Sequence, residues 1–196
     1  MGRLINNINV YRRITLNCFE SYTDCEKRIE QCKKHSLSMG TDGMEFRYQL
    51  ETKKYEFAVQ SIIFSALSLE AFVNDFLLGN LGKSNFEALD KLEVKAKILI
   101  GTKMIIGKDF PKDRVAYQKL SKLINIRNKL VHAKSVNADS DAAKILIEIE
   151  KKDIEEAILT YQSVIEEIDK LNPSLVIKDK YLLSDERLRN WYYLNA

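Results

Sequence analysis

An arginine and a histidine stand five positions apart in the segment from Ile126 to His132. The imidazole of a histidine such as His132 can accept or donate a proton during a reaction. The arginine, Arg127, carries a planar guanidinium whose N–H groups bind phosphate oxygens in a fork. One short segment thus has the means to hold an anion and to move a proton.

The segment from Arg114 to Lys134 has the periodicity of an amphipathic helix. At about 100° per residue, an apolar face forms around Arg127 and consists of Ala116, Leu120, Leu123, Ile124, Leu130 and Val131. Beside it runs a row of uncharged polar residues, which we name the polar ridge: Gln118, Ser121, Asn125, Asn128 and His132. The pattern predicts a helix that packs through one face and presents polar groups along the next.

Arg127 is predicted to lie among apolar side chains, where an unpaired charge costs several kcal/mol. Two interpretations are open: a buried ion pair, or a cleft in which the guanidinium receives an anion. Glu70 is the candidate partner because it also falls on an apolar ridge of a predicted helix. We expect Glu70 to pair with Arg127 or to orient it.

Arg127 and His132 are about 140° apart on an ideal helix and do not share a face. Asn128 stands four positions before His132 and does share its face, so we expect Asn128 to orient the imidazole. Arg127 then has to reach round the helix or act across an interface, unless the helix bends or ends within the segment.

Arg127-Asn128 followed by His132 resembles the Arg-Asn-x-x-x-His signature of the HEPN superfamily of nucleotide-binding helical domains. The order of elements is also similar from about residue 45 to 170, with a long helix containing residues 64–72, a shorter lysine-rich helix, and the motif late in the next helix. The resemblance implies an all-α, HEPN-like bundle of about five to six helices. It also implies Arg127, Asn128 and His132 as the active-site residues.

By the same resemblance the chain is expected to be a metal-independent endoribonuclease, without a cofactor, that leaves a 2′,3′-cyclic phosphate and a 5′-hydroxyl. This reaction needs a base for the 2′-hydroxyl, an acid for the leaving oxygen and a cation for the phosphorane charge. The chain offers one plausible catalytic histidine, and HEPN ribonucleases commonly build a composite site from two motifs. We therefore expect a homodimer in which Arg127 and His132 of both subunits line one cleft.

The resemblance further implies a toxin or antiphage effector, with an antitoxin or regulatory protein as a possible partner. Toxins held by a nucleotidyltransferase carry a tyrosine two residues after the histidine, where this chain has Lys134. Other HEPN domains are non-catalytic and bind RNA, nucleotide or a partner protein. In that alternative the motif is structural, and replacing Arg127 unfolds the protein.

Basic residues concentrate around the motif, although the net charge is only +3. Residues 91–134 hold twelve Lys and Arg against three acids, whereas residues 135–170 hold ten acids against four bases. A basic segment containing the motif is typical of an RNA-binding surface, and Lys122, Lys129 and Lys134 are the predicted substrate contacts. The acidic segment either covers the basic one in a dimer or mimics nucleic acid.

The remaining elements follow from periodicity and from glycine and proline breaks. With 45% hydrophobic residues, 30% charged residues and two prolines, residues 1–196 are expected to form one helical domain. Helices are predicted at about 14–34, at about 44–78 as the long central helix, and from Ser84, as the N-cap, to Gly101. The motif helix is predicted to begin near Asp113. A further helix is predicted to open with Asp153 and Glu156 as its capping pair, and residues 174–196 form a tail.

The chain lacks the apolar run of a signal peptide, and no window approaches the roughly 18 apolar residues of a membrane span. We therefore expect a cytoplasmic protein without membrane contact. Cys18, Cys25 and Cys32 fall on one face of one helix, so they are expected to be buried thiols and not a disulfide or zinc site.

Overall fold

The computed structural model describes residues 7–34, 40–132, 149–175, 177 and 181. Within these ranges the chain forms five α-helices and a 3₁₀ turn, without a strand. The helices are α1 (Asn7–Lys34), α2 (Gly40–Leu89), α3 (Val94–Ile106), α4 (Val115–His132) and α5 (Lys151–Leu171), and the 3₁₀ turn is Pro173–Leu175. The prediction of an all-α helical bundle is confirmed.

Helix α1 packs along α2 and begins at Asn7, not near residue 14. Its buried face continues towards the N-terminus through Ile8 and Arg12, which are 1% and 3% exposed. The sequence prediction missed this turn because an arginine at position 12 interrupts the apolar pattern. The three cysteines are free thiols buried along the same helix, as predicted.

The central helix α2 is longer than the predicted 44–78. Gly79 does not end it, and the helix continues to Leu89 across a kink at Gly82, whose φ of 75° is open to glycine without steric cost. The apolar core along α2 consists of Ile62, Ala66, Leu69, Phe72, Val73, Phe76 and Leu77. These side chains meet α3, α4 and α5, so one helix supplies the centre of the bundle.

Helix α2 is also long and apolar enough to cross a membrane, judged by length and composition alone. The prediction that no window has this composition is therefore wrong. Half of the most apolar 18-residue window is buried inside the molecule. The core helix of a soluble protein has the same length and composition, so the feature is weak evidence for a span.

The single helix predicted from Ser84 to Gly101 is two helical segments. Its predicted start is close to the kink at Gly82, after which a helical segment begins, but this segment ends at Leu89. Ser84 lies inside the last part of α2, and the chain turns at residues 90–93 before α3 begins. Lys97 fixes this turn, because its ammonium is 2% exposed and lies 2.9 Å from Asn74 Oδ1 and 3.6 Å from Asp90 Oδ1. A buried ammonium needs such partners. Asp90 can contact Lys97 only because the chain turns at residues 90–93.

Gly101 lies in the interior of α3 and does not end the helix. A β-carbon at this position would overlap the side chain of Leu77, so the glycine permits close packing of α3 on α2. The helix ends at Gly107 instead, in the left-handed conformation with φ of 76°, and its N–H binds the carbonyl of Lys103.

Helix α5 begins one turn before the predicted start at Asp153. Glu150 is the N-cap residue, and Asp153 occupies the third helical position, where its carboxylate accepts the Glu150 N–H at 3.0 Å. The predicted pairing of Asp153 with Glu156 is therefore wrong by one turn. Residues 144–148, which precede this helix, lie outside the described residues.

A polar cluster in the core holds Tyr181, which follows α5 in the chain, against three helices. Arg12 Nη1 donates to the Tyr181 carbonyl at 3.0 Å, and the guanidinium lies 4.4 Å from the centre of the Tyr161 ring. The Tyr181 hydroxyl donates to Asp75 Oδ2 at 2.5 Å. Part of the predicted tail is thus core, whereas residues 178–180 and 182–196, with their aromatic side chains, lie outside the described residues.

Replacing Tyr181 with phenylalanine should make the free energy of unfolding fall less steeply as the pH rises through the alkaline range. Burial, and then the hydrogen bond to Asp75, raise the pKa of Tyr181 above its ordinary value near 10. The folded state holds the phenolic proton more tightly, so this stabilisation is complete below about pH 10 and is lost as the pH rises further. Urea denaturation across that range should give a steeper decline for the wild type than for Tyr181→Phe.

The matched control is Tyr48→Phe, because Tyr48 is 69% exposed. Its alkaline decline should match that of the wild type. Equal declines for Tyr181→Phe and the wild type would show that the Tyr181–Asp75 contact does not hold the proton.

Candidate functional site

The polar ridge lies on the solvent side of α4. Gln118, Asn125 and His132 are exposed, and Ser121 and Asn128 are half-buried. On the packing face, Ala116, Leu120, Leu123 and Ile124 are buried as predicted, but Leu130 is half-buried and Val131 is 48% exposed. The bundle therefore covers the last described turn of α4 less completely than the first three, and the Arg127–His132 segment lies at its edge.

Arg127 is half-buried at this edge and donates from Nη1 to Asn128 Oδ1 at 3.0 Å. The expected ion pair with Glu70 is not formed, since none of the ion pairs among the described residues includes Arg127 or Glu70. Glu70 itself is half-buried on α2. Of the two interpretations, the buried ion pair with Glu70 is excluded.

Asn128 contacts Arg127, whereas it was expected to orient His132. On an ideal helix its side chain lies between the directions of Arg127 and His132, so the hydrogen bond draws the guanidinium towards the polar ridge. His132 is exposed and forms no hydrogen bond with a described residue. The Arg127 guanidinium is thus drawn to the side of α4 that carries the His132 imidazole. The Asn128 amide that binds the guanidinium is neutral.

Lys122 has a different environment from the one expected of a substrate contact. Its ammonium lies 2.6 Å from Glu156 Oε2 and 2.9 Å from Asp153 Oδ1, both on α5. Hydrogen bonds to these two carboxylates, first to Glu156, raise the pKa of Lys122. Lys122 therefore joins α4 to α5, and its charge is already balanced.

Lys129 is exposed on α4 and forms no ion pair within the described part of the chain. Lys134, the third predicted contact, lies outside the described residues. Lys122 of the basic segment 91–134 pairs with Asp153 and Glu156 of the acidic segment 135–170. The acidic segment therefore covers part of the basic one within a single chain. Eight basic residues of 91–132 are without ion pairs to described residues: Lys91, Lys95, Lys108, Lys112, Arg114, Lys119, Arg127 and Lys129.

Replacing Lys122 with methionine should lower the free energy of unfolding by about 1 kcal/mol, because partly exposed ion pairs contribute little. The loss should shrink at high salt, which screens such pairs. Lys129→Met is the control and should leave stability unchanged. The measurement is urea denaturation at low and high salt, and equal stability of both variants would contradict a clamp between α4 and α5.

Arg114, which stands four residues before Gln118, was not among the predicted site residues. Its carbonyl accepts the N–H groups of Tyr117 and Gln118 at 3.1 and 3.2 Å, so the helical register already includes it. Arg114 is exposed and falls in line with the polar ridge. The spacing of four was the available signal.

Residues 7–34, 40–132 and 149–175 contain no group of three or more His, Cys, Asp or Glu side chains that could hold a metal ion. Asp139 and Asp141 lie outside the described residues. Comparison of the chain with protein-family models, with curated proteins and with solved structures gave no match.

Proposed function

We propose that the chain is a metal-independent endoribonuclease of the HEPN type that acts as a homodimer. The state of Arg127 is the observation that supports this function. Its guanidinium is half-buried, oriented by the neutral amide of Asn128, and free of ion pairs with the described residues. A guanidinium held in this way keeps its full charge for a phosphate, in contrast to the ammonium of Lys122.

In the proposed reaction, His132 takes the proton of a ribose 2′-hydroxyl. The 2′-oxygen attacks the adjacent phosphorus, so that a P–O2′ bond forms while the P–O5′ bond breaks. Arg127 stabilises the charge on the phosphorane oxygens. A second imidazole, His132 of the other subunit, gives a proton to the leaving 5′-oxygen. The products are a 2′,3′-cyclic phosphate and a 5′-hydroxyl, without addition of water.

The need for two subunits follows from the number of imidazoles. One His132 per chain cannot act as base and acid in the same step. Its exposed position at the described end of α4, next to the half-exposed apolar side chain of Val131, is accessible to a second copy. The setting implied by the family resemblance, a cytoplasmic toxin or antiphage effector under a regulatory protein, belongs to the same proposal.

The test is to incubate the protein with total RNA in EDTA and to map the ends of the fragments. We expect fragments with 5′-hydroxyl and 2′,3′-cyclic phosphate ends, at an unchanged rate when Mg²⁺ is absent. Cleavage that disappears in EDTA, or fragments with 5′-phosphate ends, would refute the mechanism. Light scattering at the assay concentration should show a dimer, and full activity of a monomer would refute the composite site.

A non-catalytic RNA-binding domain is the second candidate function. The described part of the chain contains one imidazole, that of His132, and this favours the second candidate because binding needs no acid and base pair. In that case RNA binds with salt-dependent affinity and its ends stay unchanged. Arg127 is half-buried and forms no ion pair with a described residue, so its replacement is no longer expected to unfold the protein in this case. Arg127→Met distinguishes the two functions: it should abolish cleavage in the first and only weaken RNA retention in the second.

A further inference from the structure

We propose that single-stranded RNA lies along the polar ridge of α4, and that Asn125 reads one of its bases. The inference rests on the proposed function and names its substrate class. It makes Asn125 a specificity-determining residue, whereas Arg127 and His132 act on the phosphodiester.

Asn125 is an exposed asparagine in the middle of a helix, and its amide forms no hydrogen bond with a described residue. Asparagine is unfavourable in a helix interior unless its side chain finds a partner. Three asparagines of α2 do so: Asn80 and Asn85 donate to carbonyls four residues earlier, and Asn74 accepts from Lys97. Asn125 lacks this compensation and presents both its donor and its acceptor to solvent.

An exposed amide pairs with the edge of a base through two hydrogen bonds, as asparagine does with adenine. Lysine and arginine bind phosphate whatever the base, so contacts of that kind position the strand and do not select its sequence. The middle of the polar ridge is neutral, with Gln118, Ser121 and Asn125 in succession. This composition suits discrimination between bases.

The charges lie at the two ends of the ridge. Arg114 precedes it and Arg127 is turned towards its far end, and neither forms an ion pair with a described residue. A strand held by its phosphates at these two points places intervening bases over the neutral amides. Asn125 stands about 10 Å before His132 along the helix axis and within about 20° of it in direction. The base it reads is therefore close to the cleaved linkage.

The bound RNA has to be unpaired. In an RNA duplex the base edges lie in a deep, narrow major groove that side chains cannot read, whereas single strands and loops expose them. The minor groove of a duplex is recognised mostly by its shape, so an amide that selects one base is expected to act on unpaired RNA. We expect a base preference at one fixed distance from the cut, and little cleavage of duplex.

The test compares wild type and Asn125→Ala on a pool of random single-stranded oligoribonucleotides, with the cut sites read by sequencing. Asn125→Ala should reduce the base preference at one position by about tenfold. Asn85→Ala is the matched control, an exposed asparagine on α2, and should keep the preference. Alanine favours helix, so Asn125→Ala should fold.

A binding assay separates this inference from the proposed function. Filter retention of the four homopolymers by His132→Ala should show a base preference that the added Asn125→Ala change removes. Unchanged preference in both assays, or equal cleavage of duplex and single strands, would overturn the inference while cleavage itself stands. If no RNA is cleaved but retention depends on Asn125, the ribonuclease is wrong and the inference holds. If no RNA is retained, both are wrong.

Discussion

Replacing His132 with alanine should lower the rate of RNA cleavage by about 10² to 10⁴-fold, the usual contribution of a general acid or base. The free energy of unfolding should change by less than about 0.5 kcal/mol. His132 is exposed and forms no hydrogen bond with a described residue, so its removal leaves neither a cavity nor an unpaired partner. Loss of activity without loss of stability is the signature of a group that acts on the substrate.

Initial rates in EDTA, over a range of protein concentrations, measure this effect. His35→Ala is the control because it removes the only other histidine of the chain, and it should retain wild-type activity. A His132→Ala protein that cleaves RNA at the wild-type rate would eliminate the imidazole as the proton carrier.

Mixed dimers give a second readout of the same residue. When wild-type and His132→Ala subunits are mixed in equal amounts and exchange freely, about a quarter of the dimers of a two-fold assembly keep both imidazoles. With a composite site, activity falls to about that fraction. Activity that falls only to one half would mean that each subunit works alone.

Periodicity predicted the parts of the fold in which burial alone decides the structure. Leu120 and Ile124 were placed correctly on the packing face of α4, because a helix that hides one stripe must repeat apolar residues at that spacing. Helix ends were predicted less well. The sequence does not distinguish Gly101 from Gly82. In the structure, Leu77 packs closely against Gly101 inside α3, whereas Gly82 has a positive φ at the kink of α2.

The candidate site was predicted in its residues but not in its contacts. The polar ridge follows from spacing, and the structure places all five of its residues on one solvent-facing flank. The partner of Arg127 could not be predicted from spacing. The guanidinium donates a hydrogen bond to Asn128, its neighbour in sequence, whereas the distant carboxylate of Glu70 was expected. Whether an arginine is buried depends on residues far along the chain, which periodicity cannot supply.

Among the described residues the buried arginine is Arg12, and replacing it with methionine should lower the free energy of unfolding by about 2 to 4 kcal/mol. Its guanidinium binds the carbonyl of Tyr181, 169 positions away in sequence, and lies over the Tyr161 ring. Methionine preserves much of the packing, so the loss comes from the buried carbonyl and from the cation–π contact. The measurement is urea denaturation monitored by circular dichroism.

Arg13→Met is the matched control, since Arg13 is the next residue and is exposed. It should stay within about 0.5 kcal/mol of the wild type. A double-mutant cycle with Tyr161→Leu should show a coupling of roughly 1 to 2 kcal/mol between the guanidinium and the ring. Equal stabilities of Arg12→Met and Arg13→Met would mean that the C-terminal Tyr181 is not anchored through Arg12. Because Arg12 is remote in sequence from the polar ridge, its effect on cleavage should disappear wherever the variant is fully folded, whereas that of His132 should persist.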